Sequence, residues 1–153
     1  MSNSDFTVPD ICDAHGDKIA IGDIFLTSYG GIEKFFGEIR AVDCPHSNSV
    51  VKELVQENGE GKVLVINHSG DKLCSMVGDQ IAQKAYENNW KGIFVNGYIR
   101  DIEVIKNISI GVCAKNVFPM KTDKAVGVGT KDTSFKIGSV EIRSGNWIYV
   151  DTN

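Results

Sequence analysis

Lys62-Val63-Leu64-Val65-Ile66 and Ile93-Phe94-Val95 decide the fold class of this chain. Each is an apolar run of strand length, the mark of a strand buried on both faces of a sheet. Between them Gly78-Asp79 opens a helical stretch with Ile81, Ala82, Ala85 and Tyr86 on one face, ended by Trp90-Lys91-Gly92. Strand, helix and strand in that order predict a parallel unit. Upstream, a loop at Gly30-Gly31 precedes a strand over Phe35 to Val42. Ser47 or Asn48 caps a helix that carries Val50, Val51, Leu54 and Val55 on one face. Asn58-Gly59-Glu60-Gly61 stops that helix, because Asn and Gly tolerate left-handed backbone. His68-Ser69-Gly70-Asp71 reads as loop, and Thr7-Val8-Pro9-Asp10 as one more helix start, with Thr7 as cap.

After Ile102 the texture changes to short β-like pieces: Ile110 to Cys113, Phe135 to Ile137, Val140 to Ile142 and Trp147 to Val150. Glycines at 127, 129, 138 and 145 punctuate them. The class is therefore α/β, with parallel strand-helix-strand units in the middle and a β-rich C-terminal third. No repeat, low-complexity segment or linker interrupts residues 1–153, which read as one domain.

A chain of 153 residues buries roughly two thirds of its unfolded surface and needs no disulfide or structural metal for a core. Its 16 basic and 20 acidic residues give a net charge of -4 without forming blocks. Lacking a basic stripe, the chain is not expected to bind nucleic acid, and its negative charge disfavours anionic membrane surfaces. Cys12, Cys44, Cys74 and Cys113 show no C-x-x-C spacing and read as reduced, buried or half-buried thiols. Met1 to Pro9 has neither a basic nor an apolar signal region, and the longest apolar runs are far shorter than a membrane span. The expected location is cytoplasmic.

Topology tells where the chemistry belongs. The helix of a strand-helix-strand unit runs antiparallel to its strands, so its N-terminus meets the C-terminal end of the following strand. Here that juxtaposes Asp79 with Arg100-Asp101, at the carboxyl edge where open α/β sheets bind ligands. Backbone N–H groups from Gly78 to Ile81, Gln80 included, are first-turn donors at the positive end of a helix dipole and suit a carboxylate. Arg100 offers a planar fork for a carboxylate or an enolate oxygen. Asp79 and Asp101 offer hard oxygen ligands suited to Mg²⁺ or Mn²⁺. Two plainer readings stand beside these, Asp79 as a helix cap and Arg100-Asp101 as a surface ion pair. Residues alone lead to an anion site flanked by carboxylates.

Several stretches resemble the RraA-like family, which includes the class II 4-hydroxy-4-methyl-2-oxoglutarate/4-carboxy-4-hydroxy-2-oxoadipate aldolases and the regulator of ribonuclease E activity. They are Ser28-Tyr29-Gly30-Gly31, Phe36-Gly37-Glu38-Ile39, Glu57 to Val65, Gly78 to Trp90, Gly92 to Asp101 and Ser144 to Asp151. The family's lyases carry an Asp, twenty intervening residues and then Arg-Asp, which is the spacing of Asp79 and Arg100-Asp101 here. The resemblance implies an α/β/β/α sandwich, assembled as a homotrimer with sites at subunit contacts. It implies substrate binding by Gly78, Asp79, Gln80, Ile81 and Arg100, a divalent metal (Mg²⁺ or Mn²⁺) on Asp101, and catalytic roles for Arg100 and Asp79. The implied reaction is carbon–carbon cleavage of a short 2-oxo acid through a pyruvate enolate, by aldolase or oxaloacetate decarboxylase activity. Family aldolases often carry a C-terminal extension, whereas this chain stops at Asn153, which ranks decarboxylation first because it needs no base for a hydroxyl proton.

Two rival readings accompany it. The first is a non-catalytic regulator with a ribonuclease E-type protein partner, against which the intact Asp79 and Arg100-Asp101 pattern counts. The second is a methyltransferase, a label some relatives have carried, but Gly127-Val128-Gly129 is a lone G-x-G in a β-rich region. His68 reads as a surface side chain or a proton-transfer group, and His15 and His46 have no partner pattern.

Overall fold

The computed structural model describes residues 6–153. The signal-region reading falls partly on residues 1–5, which lie outside the described residues. In chain order the elements are α1 (Val8–His15), β1 (Thr27–Ser28), β2 (Phe35–Cys44), α2 (Ser49–Leu54), β3 (Lys62–His68), β4 (Ser75–Val77) and α3 (Asp79–Glu87). They continue with β5 (Gly92–Ile99), α4 (Ile102–Ile105), β6 (Gly111–Val117), β7 (Thr130–Lys131), β8 (Phe135–Ile137), β9 (Val140–Ile142) and β10 (Trp147–Val150).

The large sheet runs β1-β6-β5-β3-β2-β10, with β4 also paired to β5 and β7 to β2. Strands β2, β3, β5 and β6 are parallel to their neighbours among themselves, whereas β10 and β1 join antiparallel at the two ends. Side-chain alternation explains the continuous apolar runs. Leu64, Ile66, Ile93, Val95, Val112 and Ala114 point to one core, while Val63, Val65 and Cys113 point to the other. A strand covered on both faces has no polar side to alternate with.

Helices α2 and α3 cover the first core with Val50, Val51, Leu54, Ile81, Ala82 and Ala85, joined by Ile105 of α4. The β8–β9 ribbon covers the second core with Ile137 and Ile142. The layers thus run helix, large sheet, small sheet. Phe35, fully buried, packs over Gly92 and Gly111, where an added Cβ would lie 2.4 and 2.1 Å from its ring. At the β2–β10 edge, Phe36 stacks on Tyr149 with ring centroids 5.3 Å apart.

Local details refine the sequence reading. Thr7 caps α1 by accepting from the Asp10 N–H at 3.2 Å, as expected. Tyr86, expected on the buried face of α3, is exposed, because the helix lays only Ile81, Ala82 and Ala85 on the sheet. His68 ends β3 rather than opening a loop, since its register with Cys44 continues the ladder. The β-like pieces of the C-terminal third fall on β6, β8, β9 and β10, with β6 starting at Gly111 rather than Ile110 and extending on to Val117. The short strand β4 and the single-turn helix α4 carry too few residues for a periodic signal.

Candidate functional site

The β4–α3–β5 unit builds the site. Strand β4 lies parallel beside β5, with Val77 opposite Ile99, so the chain leaves both strands at the same edge. Gly78 is the N-cap of α3 in extended backbone, with no side chain to cap the helix. Its carbonyl accepts from the Ala82 N–H at 3.1 Å, which makes Asp79, Gln80 and Ile81 the first-turn donors. One of the three is already used, because the Asp79 N–H donates to Asp101 Oδ2 at 3.2 Å. The two ends that topology brings together are therefore joined by a hydrogen bond.

Arg100 enters from the end of β5, its N–H donating to the Val77 carbonyl at 3.0 Å. Its Nη1 donates to the Pro119 carbonyl at 3.2 Å, and its Nε lies 3.9 Å from Asp101 Oδ2. Both side chains are about two-fifths exposed, within reach of a ligand. Asp101 has left-handed backbone, φ 62 and ψ 35, at the start of α4. A non-glycine residue in that region stores strain and commonly does so where a side chain must be aimed. A Cβ on Gly78 would stand 2.7 Å from Asp101 Oδ2, so only glycine lets the carboxylate lie over the turn.

The structure thus brings together all six residues expected from the sequence: Gly78, Asp79, Gln80, Ile81, Arg100 and Asp101. The first-turn amides of Gln80 and Ile81 and the guanidinium of Arg100 are donors at one sheet edge, a cradle of a chemistry suited to an anion. Both recorded contacts of the Asp101 carboxylate run through Oδ2, which leaves Oδ1 free among the described residues. Among those residues no three His, Cys, Asp or Glu side chains converge. A closed cage of protein ligands is therefore absent among the described residues; a hard cation, if bound, would be held by the Asp101 carboxylate, whose oxygen chemistry fits it.

Other reactive groups lie apart from this chemistry. Burial pushes the thiols of Cys44 and Cys113 up to about 12 and raises that of Cys74, so all three stay protonated and inert. His68, half-buried, sits 3.7 Å from Cys74 Sγ, and burial lowers its pKa below the usual imidazole value. A separate cleft lined by residues 28–34 and Lys106 shares no residue with the cradle. Gly127-Val128-Gly129 leads into β7, not from a strand into a helix, so it lacks the setting of a dinucleotide-type phosphate loop. Sequence reasoning missed Pro119, whose carbonyl holds Arg100. Pro119, directly after the β-favouring pair Val117-Phe118, was the available signal, since proline leaves a strand ladder.

Residues 8–153 match the family model described as RraA-like, Aldolase/RraA. A protein of Marinomonas sp. (strain MWYL1) named "Putative 4-hydroxy-4-methyl-2-oxoglutarate aldolase" is 41% identical over 146 residues, 95% of this chain and 90% of that protein. Among solved structures, one from Geobacillus kaustophilus HTA426, described as an S-adenosylmethionine:2-dimethylmenaquinone methyltransferase, superposes with a TM-score of 0.92. It is 33% identical and covers 96% of this chain and 91% of its own. The RNA-processing inhibitor RraA from Thermus thermophilus superposes with a TM-score of 0.89 at 28% identity, covering 96% and 88%.

Proposed function

The chain belongs to the RraA-like family, and from that premise we propose that it is a divalent-metal-dependent lyase cleaving short 2-oxo acids through a pyruvate enolate. The observation that carries this reading is the hydrogen bond between the Asp79 N–H and Asp101 Oδ2, which locks a carboxylate beside an anion cradle. A strained aspartate aimed at an open helix turn supports chemistry over docking to a partner alone.

The steps follow from the side chains. The Gln80 and Ile81 amides hold the substrate carboxylate, and Arg100 takes the 2-oxo oxygen. Asp101 is the residue to hold a Mg²⁺ or Mn²⁺ ion, which when bound supplies Lewis acidity towards that oxygen. As the bond breaks, negative charge moves onto the 2-oxo oxygen, and the preorganised Arg100 guanidinium meets it there. In 4-hydroxy-4-methyl-2-oxoglutarate the electrons of the C3–C4 bond become the enolate of one pyruvate. The C4 hydroxyl loses its proton and becomes the carbonyl of the second, with water held by Asp79 as the proton acceptor. Oxaloacetate loses carbon dioxide to the same enolate and needs no such acceptor. The enolate carbon then takes a proton to give pyruvate.

Pyruvate release from both acids, with Mg²⁺ or Mn²⁺, with a chelator and with bare metal as control, tests the proposal. Chelator-sensitive turnover above the bare-metal rate is expected, with Asp101→Ala lowering it by roughly a hundredfold or more. No turnover with either acid sinks the lyase and favours a regulator of the kind named by the Thermus relative, with a protein partner. The proposed assembly is a homotrimer. Leu73, Val117 and Met120, exposed around the segment that holds Arg100, support it as surface for a neighbouring copy. Light scattering that returned the monomer mass of 16.7 kDa would remove it.

A further inference from the structure

Asn48 occupies the N-cap of α2, yet its side chain makes no cap hydrogen bond. The neighbouring Ser47 Oγ takes that local role, accepting from the Ser49 N–H at 3.2 Å. Asn48 is instead buried, donating from Nδ2 to the Met76 carbonyl at 2.9 Å and accepting from Thr122 Oγ1 at 2.9 Å. Thr122 and Met76 are buried as well.

The reason lies in the ladder. The register between β4 and β5 slips between Ser75 and Val77, which leaves Met76 without a residue opposite. A buried carbonyl without a donor is costly, and Asn48 supplies the donor. Met76 stands two residues before Gly78, so this bond sets where the chain exits β4 into the helix turn. Through Thr122 the same amide grips the segment 119–122. That segment is fastened at Met120, whose carbonyl accepts from the Ser75 N–H at 2.7 Å, and at Pro119, whose carbonyl holds Arg100. One side chain on a third element therefore ties together both walls of the cradle.

We propose that Asn48, braced by Thr122, is a positioning residue that fixes the Gly78–Ile81 turn against Arg100. Its catalytic consequence rests on the lyase reading, but its structural consequence does not. Asn48→Asp keeps the shape and the acceptor for Thr122 and removes the donor to Met76. Thr122→Val removes the hydroxyl, and Thr122→Ser keeps it.

The Gln80 and Ile81 amides bind the carboxylate alike in ground and transition states, so loosening their turn raises KM, while any shift of Arg100 lowers kcat as well. Asn48→Asp and Thr122→Val are expected to raise the KM for oxaloacetate and weaken inhibition by oxalate, a planar dianion shaped like the enolate, by roughly tenfold. Thr122→Ser recovers most of the affinity lost in Thr122→Val. Hydrogen exchange by mass spectrometry should quicken over 76–81 and 119–122 while β3 stays protected. An unchanged KM, or exchange that quickens evenly over the chain, overturns the proposal. If the unaltered protein turns over neither acid, the lyase reading falls and exchange alone decides: local quickening sustains the positioning role, its absence removes it. Should Asn48→Asp fail to fold, Thr122→Val carries both measurements.

Discussion

Replacing Gly78 by alanine adds one methyl group at the point where the site is tightest. The new Cβ would lie 2.7 Å from Asp101 Oδ2, against about 3.4 Å for ordinary contact. The carboxylate must therefore retreat by about 0.7 Å, while the Arg100 Nε at 3.7 Å is hardly touched. That retreat stretches the 3.2 Å bond from the Asp79 N–H past useful length. Loss of one partly exposed, charge-assisted bond costs about 1 kcal/mol. Alanine at this φ of -119 is unstrained, and it restricts the unfolded chain by about 0.4–1 kcal/mol in favour of folding. The two terms nearly cancel, so Tm should move by no more than about 2–4 °C. Activity should not escape so lightly, because a misplacement of about 1 Å costs on the order of a hundredfold in rate. Pyruvate release from oxaloacetate, measured beside a thermal melt, separates the two effects. Gly22→Ala, where an added Cβ meets nothing within 4 Å, serves as the control with activity intact. A Gly78→Ala protein as active as the parent would refute the placement of Asp101 over the turn.

Asp101→Gly and Asp101→Ala both remove the carboxylate, but only alanine keeps the left-handed strain at φ 62. The glycine variant should melt about 2–4 °C higher than the alanine one, reflecting about 1 kcal/mol of backbone cost, while both lose turnover by roughly a hundredfold or more. Phe35→Ala empties the fully buried space over Gly92 and Gly111 and should cost about 3–5 kcal/mol in urea unfolding; a loss under 1 kcal/mol contradicts that packing. Burial pushes the Asp151 carboxyl upward, but hydrogen bonds from the Val8 and Asn153 N–H groups outweigh it and hold the pKa below the usual aspartate value. A carboxyl depressed in the folded state stabilises at pH above its unfolded value, about 3.9, and loses that contribution as pH falls through the folded value. Asp151→Asn should therefore lower Tm at neutral pH, with the gap from the parent closing as pH falls below about 4. A gap that persists at low pH would point to shape rather than charge.

Much of the fold was legible because strands buried on both faces leave unbroken apolar runs, as at Val63–Ile66, and glycines mark the turns of the last third. The site was legible for a topological reason: once Asp79 opens a helix and Arg100 follows the next strand, their meeting is forced. What stayed hidden depends on tertiary contact. Ser75–Val77 is too short to show alternation, and Tyr86 sits on a helical face that the sheet does not reach. Asn48 carries the sequence mark of a helix cap, and nothing local reveals that its amide turns inward to Met76 because a ladder slips elsewhere. The left-handed backbone of Asp101 is equally silent in the sequence, since aspartate is common at helix starts of ordinary geometry.

Strand β2 sits between β3, which follows it closely, and β10, which pairs with Phe35–Glu38 from more than a hundred residues later. During synthesis one side of β2 thus waits for its partner while some hundred residues are made, roughly 5–20 s at ordinary ribosomal rates. Throughout that interval Phe35–Glu38 offers open backbone and the Phe36 ring to any neighbouring nascent chain. The yield of active protein should depend on translation speed and on chaperones more than on the stability of the finished fold, and slow refolding from denaturant is expected of so non-local a sheet.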